Sequence, residues 1–355
     1  MAGEQGAPVL VKPREQRRHE GNWILGVLRS TELGLVVAIA VILAAIYALD
    51  RQGGFFTPYS LRPLIHNAAM FGVLALGAAI VIIAGGIDLS VGSVVALSSV
   101  VSSSLVMNWI PRMAGLLQGP TPSTFLPPAW VVPVAVVLTL IVGAAVGVAH
   151  AAMINHLRLP PFIATLATMA GLRSLAMILC NNKPITVNVP AYRMLGNDPW
   201  IAVPIFLVTA LIAHIMMRWT VLGRHLYALG GNEAAARLSG LSPERLKTVV
   251  YGIAGFLSAL GGLLFTGKSG QGQATMGVSY ELFAITAAVV GGCSLSGGLG
   301  SIRGTVLGLI LIQCVIKGTG QVIRFIDSTQ IEGLVLGLVV VLAVAFNQRF
   351  RVRRV

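Results

Sequence analysis

Long apolar runs alternate with short breaks rich in charge, proline and glycine along the whole chain. Each run between two breaks reads as one helix. The pattern predicts crossings over 32–49, 63–84, 91–109, 129–150, 162–180, 200–217, 249–267, 281–293, 304–316 and 331–346. A helix rising ~1.5 Å per residue needs about 20 apolar residues to traverse roughly 30 Å of hydrocarbon, and most of these runs come close. The eighth and ninth are short and glycine-rich. The expected fold class is therefore all-α: a polytopic membrane protein of about ten transmembrane helices occupying 32–347, with a polar tail over 1–31 and a basic tail over 348–355.

Composition reinforces the pattern. The 355 residues are 55% hydrophobic and only 10% charged, against roughly a quarter charged in soluble domains. The net charge of +13 then bears on insertion before nucleic acid, because Lys and Arg gather on the cytoplasmic side. With the N-terminus inside, the inner segments hold 16 of the 25 Lys and Arg, the outer ones hold 8, and Arg173 falls within a crossing. Both termini are expected in the cytoplasm. The first 31 residues lack the compact apolar core and cleavage site of a secretory signal. Cys180, Cys293 and Cys314 are scattered through apolar sequence and suggest packing rather than a disulfide framework or metal site.

The stretch "GGLLFTGKSG" contains the phosphate-loop pattern G-x-x-x-x-G-K-[ST] at Gly262, Gly267, Lys268 and Ser269. That pattern works only when a strand feeds a glycine loop with a helix start behind it. Here it closes an apolar helix, so it reads as a chance match. His66, His150, His156 and His214 show no metal-ligand spacing, and no cofactor is expected.

The most informative connection is "RWTVLGRHLYALGGNEAAARLSGLSPERLK", residues 218–247. Asn232 suits an N-cap, Glu233 suits the positive end of a helix, and Glu233 with Arg237 is an i, i+4 pair. Gly240 suits a left-handed terminus, and Ser242–Pro243 opens the next helix. The expectation is a rigid two-turn helix over 232–240. On the residues alone it is either a helix lying at the headgroup boundary or a docking element with Ala234, Ala235, Leu238 and Leu241 as its contact face.

This connection resembles the coupling loop of permease subunits from ATP-binding-cassette importers, marked by E-A-A and a following glycine. Glu233, Ala234 and Ala235 match, although four residues rather than three separate Ala235 from Gly240. "GGNEAAARLSG" is similar to the monosaccharide branch: ribose, xylose, galactose and inositol permeases with their autoinducer relatives. "AGGIDLSVGSVVALSSVV" (84–101), "PPFIATLATMAGLRSLAMI" (160–178) and "YELFAITAAVVGGCSLSGGLGSIRGTVLG" (280–308) resemble further blocks of that family in order. The resemblance implies a vitamin-importer-like (type II) permease in the bacterial inner membrane. It also implies a second permease copy as homodimer or heterodimer, cytoplasmic ATP-binding subunits and an extracytoplasmic sugar-binding protein. ATP hydrolysis would belong to the partner. Gly231, Asn232, Glu233, Ala234, Ala235, Arg237, Leu238, Gly240 and Leu241 would form the coupling element.

The chain also repeats itself: "GGIDLSVG" (85–92) and "GGCSLSGG" (291–298) share G-G-x-x-L-S-x-G. Two readings stand: broken helices beside a polar path, or glycines that let backbones pack closely. The path candidates are Asn67, Gly85, Gly86, Asp88, Ser90, Arg173, Gly291, Gly292 and Ser294. Asp88 could instead cap the third crossing with Ser90, Arg173 could snorkel or neutralise Asp88, and an amide such as Asn67 could join helices. Glu281 reads as opening the eighth crossing from outside, and 317–330 reads as an outer segment. The rival function is an ion-coupled transporter or channel, which would leave the 232–240 helix without purpose.

Overall fold

A computed structural model describes residues 31–322 apart from 51, 52 and 123, with isolated helical positions at 333, 334, 337, 338 and 341. The two expected tails and the tenth crossing lie outside these residues, except for Thr31 and those isolated positions. The helices are α1 Thr31–Leu49, α2 Pro58–Ile83, α3 Val91–Ser104, α4 Val131–His156, α5 Pro161–Leu179, α6 Pro190–Asn197, α7 Pro199–Trp219, α8 Val221–Gly231, α9 Glu233–Leu238, α10 Pro243–Ser269, α11 Tyr280–Val290 and α12 Ile302–Val322. A π turn at Leu105–Trp109 carries α3 on to Met113. Two-residue strands, β1 Ile185–Thr186 and β2 Gln271–Gly272, pair antiparallel with Ile185 opposite Gly272. Pro58, Pro161, Pro190, Pro199 and Pro243 each open a helix, where a missing N–H costs no intrahelical bond.

Among the described residues eight helices are long and apolar enough to cross a membrane. They correspond to the first seven expected crossings and the ninth. The ninth is longer than its apolar run: α12 continues to Val322, so 317–322 is helix rather than outer loop.

The centre is built from α2, α3 and α10, whose most apolar windows are 83%, 94% and 67% buried, against 11%, 17% and 22% for α1, α5 and α7. Lipid tails are as apolar as Leu, so helices associate through backbone proximity and dispersion rather than hydrophobic expulsion. The α4–α10 contact uses that route. A Cβ on Gly147 would overlap the carbonyl of Tyr251, and one on Gly143 would stand 2.6 Å from the Gly255 carbonyl oxygen. The two glycines of the phosphate-loop pattern serve the same purpose inside α10. A Cβ on Gly262 would come within 2.8 Å of the Ser98 Cβ on α3, and Gly267 faces Gly196 of α6.

The expected eighth crossing is a correction. Tyr280–Val290 is 11 residues long, about 16 Å at the helical rise, and cannot traverse the hydrocarbon alone. After α10 the chain turns at Gly270 (φ 72°) and runs back along α3 in irregular form. Gly272 lies against Ser99 and Ser103, and Gly277 lies against Gly92 and Val95. Only then does α11 begin, after Ser279 at φ 66°. Its first residue packs in an aromatic cluster, with the Tyr280 ring 4.8 Å from Phe71 and 4.6 Å from Phe265. Glu281 consequently lies beside Gly92 at the start of α3, not at an outer helix mouth.

We predict that Gly147→Val forces α4 and α10 apart and costs about 1–3 kcal/mol or more of stability, the usual range for overpacking. The check is the melting temperature of the purified protein in detergent, with Val148→Ala, on an exposed position, expected to melt near the unmodified value.

Candidate functional site

At one end of the bundle the C-termini of α2 and α4 meet the N-termini of α5 and α10, and α8 and α9 lie across them. Thr220 starts α8, its hydroxyl oxygen accepting from Gly223 N at 3.2 Å. The sequence reading missed α8. Its signal is the spacing of Gly223, Leu226 and Leu229, which are the buried positions of the helix. Asn232, in extended conformation, ends α8 and caps α9, with its Oδ1 accepting from Ala235 N at 3.0 Å. At the other end of α9, Gly240 takes φ 86°. Leu241 N donates to Ala236 O at 3.1 Å and Gly240 N donates to Arg237 O at 3.0 Å. This is a Schellman termination. Ser242 and Pro243 then begin α10. Both caps expected of the 232–240 segment are present.

Ala236 is the one buried side chain of α9, and Leu241 packs inward onto the core cluster. Leu241 therefore leaves the expected contact face, because the Schellman turn folds it under the helix. Ala234 and Ala235 remain exposed, and Leu238 is 90% exposed. Charges brace the element: Lys247 Nζ donates to both Glu233 oxygens at 2.8 and 2.9 Å. Arg237 donates to Glu244 and lies 4.0 Å from Glu233.

Beneath α9 the two G-G loops converge. Helices α2 and α11 end alike: Gly86 N donates to Val81 O and Cys293 N to Ala288 O, each at 2.9 Å. The left-handed residues are Gly85 (φ 84°) and Gly292 (φ 94°). The structural repeat is thus one residue out of register with the sequence repeat, in which Gly85 aligns with Gly291. Gly291 instead approaches Gly304 of α12, and the Ser294 carbonyl accepts from Gly297 N at 2.8 Å to close its loop. The loops touch directly, with Gly298 N donating to Ile83 O at 2.9 Å. Gly230 sits between them: a Cβ there would overlap the Ile83 carbonyl and stand 2.6 Å from Gly298 N. Tyr227 of α8 donates to Gly300 O at 2.9 Å, and burial pushes its phenol pKa up, so it remains a donor at physiological pH. A cavity of about 280 Å³ opens at this junction, lined by Gly85, Gly86, Asn232, Glu233, Lys247 and Tyr251 among others.

The structure thus brings Gly85 and Gly86 to the α9 element, whereas Asn67 and Arg173 stand elsewhere. Asp88 Oδ1 accepts from Ser90 N at 2.8 Å and from Ser90 Oγ at 2.6 Å, which closes the turn before α3. Ser90 stands at the N-cap but its side chain makes no capping bond to α3, so the capping role open to the pair in sequence is not the one they take. Thr165 of α5 supports the same loop by accepting from Leu89 N at 3.2 Å. Arg173 donates to the carbonyls of Ala274 (2.8 Å) and Met276 (3.2 Å) in the irregular segment, and no ion pair with Asp88 occurs among the described residues. Asn67 Oδ1 accepts from Lys268 Nζ at 2.6 Å, joining α2 to the far end of α10. His150 meets Thr168 at 2.8 Å and His66 meets the Gly196 carbonyl at 2.7 Å, both in packing positions. Among the described residues no group of His, Cys, Asp and Glu forms a metal cluster, and the three cysteines are free and buried.

A bundle of membrane-length helices with broken helix ends keyed to a rigid surface element is the build of a membrane transport permease. Residues 61–344 match the family described as branched-chain amino acid transport system / permease component, and the chain belongs to that family. It is 34% identical over 284 residues to the ribose import permease protein RbsC of Haemophilus influenzae, covering 78% of this chain and 81% of that one. To the ribose import permease protein RbsC of Bacillus subtilis it is 33% identical over 326 residues, covering 90% and 93%. To the xylose transport system permease protein XylH of Escherichia coli it is 27% identical over 358 residues, covering 82% and 86%. No solved structure matches the chain.

Gly230→Val is expected to part α8 from both loops and to lower substrate uptake at least tenfold while the protein still inserts. Quantitative membrane immunoblotting beside uptake assays is the check, and uptake at the unmodified rate would remove the junction from the transport cycle.

Proposed function

We propose that this chain is the permease subunit of an ATP-driven importer that carries a monosaccharide or similar small polyol across the bacterial cytoplasmic membrane. The import functions named for the ribose and xylose relatives support the sugar class. The observation that carries the coupling role is the geometry of α9: capped at both ends, braced by three ion pairs, and presenting Ala234, Ala235 and Leu238 with no covering group of its own chain among the described residues.

In this reading the complete permease crosses the membrane about ten times in the type II arrangement, with the irregular segment and α11 together making one of the crossings, and with both termini and α9 in the cytoplasm. It pairs with a second permease subunit around a shared passage. Separate ATP-binding subunits grip the element from Gly231 to Gly240, and a sugar-binding protein delivers cargo outside. ATP binding closes the partner domains and displaces α9. The displacement changes the permease only if the ATPase contacts α9 differently in the inward- and outward-open states. Displacement of α9 reaches Gly230, and through it the loops at Gly85 and Gly297, which end the two broken helices. Asp88, Ser90 and Ser294 then act by shaping those loops, and Arg173 by holding the irregular segment beside α5. Selectivity resides mainly in the binding protein.

Leu238→Asp places a charge on the exposed apolar tip of α9. Purification of the tagged chain from cells expressing the whole system is expected to recover at least tenfold less ATPase subunit than the unmodified chain, with membrane levels unchanged. Undiminished recovery, or uptake that persists with every ATPase subunit deleted, would favour the ion-coupled alternative.

A further inference from the structure

We propose that Glu233 is an internal positioning residue: its pair with Lys247 fixes α9 to α10, so that a displacement of α9 is delivered into α10. Glu233 is then not a contact for the ATPase. The inference rests on the reading of α9 as the docking element.

Both carboxylate oxygens of Glu233 are taken up by one ammonium, at 2.8 and 2.9 Å. Lys247 belongs to the first turns of α10, and its side chain is only 21% exposed. The brace spans a reversal of chain direction between α9 and α10. Arg237 closes a ring by donating to Glu244 in the opening turn of α10. Asn155 at the end of α4 donates to the Glu244 carbonyl at 2.9 Å, which extends the ring to a third helix. Since α9 buries only Ala236, apolar packing alone leaves it free to rock on Asn232 and Gly240. The ion pairs remove that freedom. Beyond the brace, α10 runs through the core to its far end, where Lys268 joins Asn67 of α2 and Gly267 abuts α6. It is one rigid element touching both ends of the bundle. Partly exposed ion pairs add little to global stability, so breaking this one spares insertion while releasing α9 from α10.

The test uses the permease–ATPase complex in lipid nanodiscs, with spin labels at Ser239 and Val249, both exposed. Pulsed electron paramagnetic resonance gives their separation without nucleotide and with ATP and vanadate, beside ATPase recovery and ATP turnover. The unmodified complex should give one narrow distribution that nucleotide leaves in place. Glu233→Lys and Lys247→Glu should each broaden it on nucleotide binding, retain the ATPase within twofold and change turnover at least fivefold. The double exchange, Glu233→Lys with Lys247→Glu, should restore both the distribution and the turnover to within twofold, as a brace requires and a partner contact does not. Distributions unchanged in the single variants, or an exchange no better than they are, would overturn the proposal. Loss of the ATPase from Glu233→Lys alone would make Glu233 a docking contact and leave the importer reading intact. An unmodified chain that recovers no ATPase would bring down both.

Discussion

Hydrocarbon offers no partner for an unpaired N–H or C=O, so every break in a membrane helix must be resolved within the protein. That constraint governs this structure. The chain breaks helical form among its buried helices at 84–90, 270–279 and 291–301, and each break has a specific remedy. Paired Schellman turns close α2 and α11, Asp88 and Thr165 take the free N–H groups of Ser90 and Leu89, and Arg173 supplies a guanidinium to two carbonyls of the irregular segment. The intramembrane ion and the short helix α11 are thus two parts of one solution: the segment can be irregular because Arg173 satisfies its oxygens.

The breaks also make the α9 element consequential. A continuous helix would carry Ile83 and Val290 onward without a loop at this end. Broken, α2 and α11 expose backbone that Gly230 of α8 touches directly, with Gly298 N bonded to Ile83 O between them. This contact is made through backbone rather than long side chains, which leaves little slack between α8 and the two loops. The same economy of small residues holds α4 to α10, so the helix braced to α9 is also one of the three that build the core.

Much of this was legible in the sequence. Apolar run length located eight membrane-length helices, since hydrocarbon thickness sets a length that composition must meet. Asn232 and Gly240 could be read as caps because their chemistry is local and survives any tertiary arrangement. What depended on distant partners could not be read. Apolarity alone cannot distinguish a full crossing from an irregular segment followed by a half-helix, so 281–293 was expected to span and does not. Leu241 looked like a contact residue until the turn at Gly240 folded it inward. Arg173 offered one partner in sequence, Asp88, and the two carbonyls it takes instead lie about a hundred residues away, at Ala274 and Met276. The repeat was visible, but its one-residue shift in register follows from where each helix ends, not from the letters shared.

The docking of α9 is tested most directly by a photoreactive amino acid at Ala235, on its exposed face, illuminated in intact cells that express the complete transport system. The adduct expected is a covalent conjugate with the ATP-binding subunit, absent when the same group is placed at the exposed Trp200, at the opposite end of the bundle. Conjugates with lipid alone from Ala235, or with an extracytoplasmic protein, would contradict the assignment of α9 as the handle through which ATP drives transport.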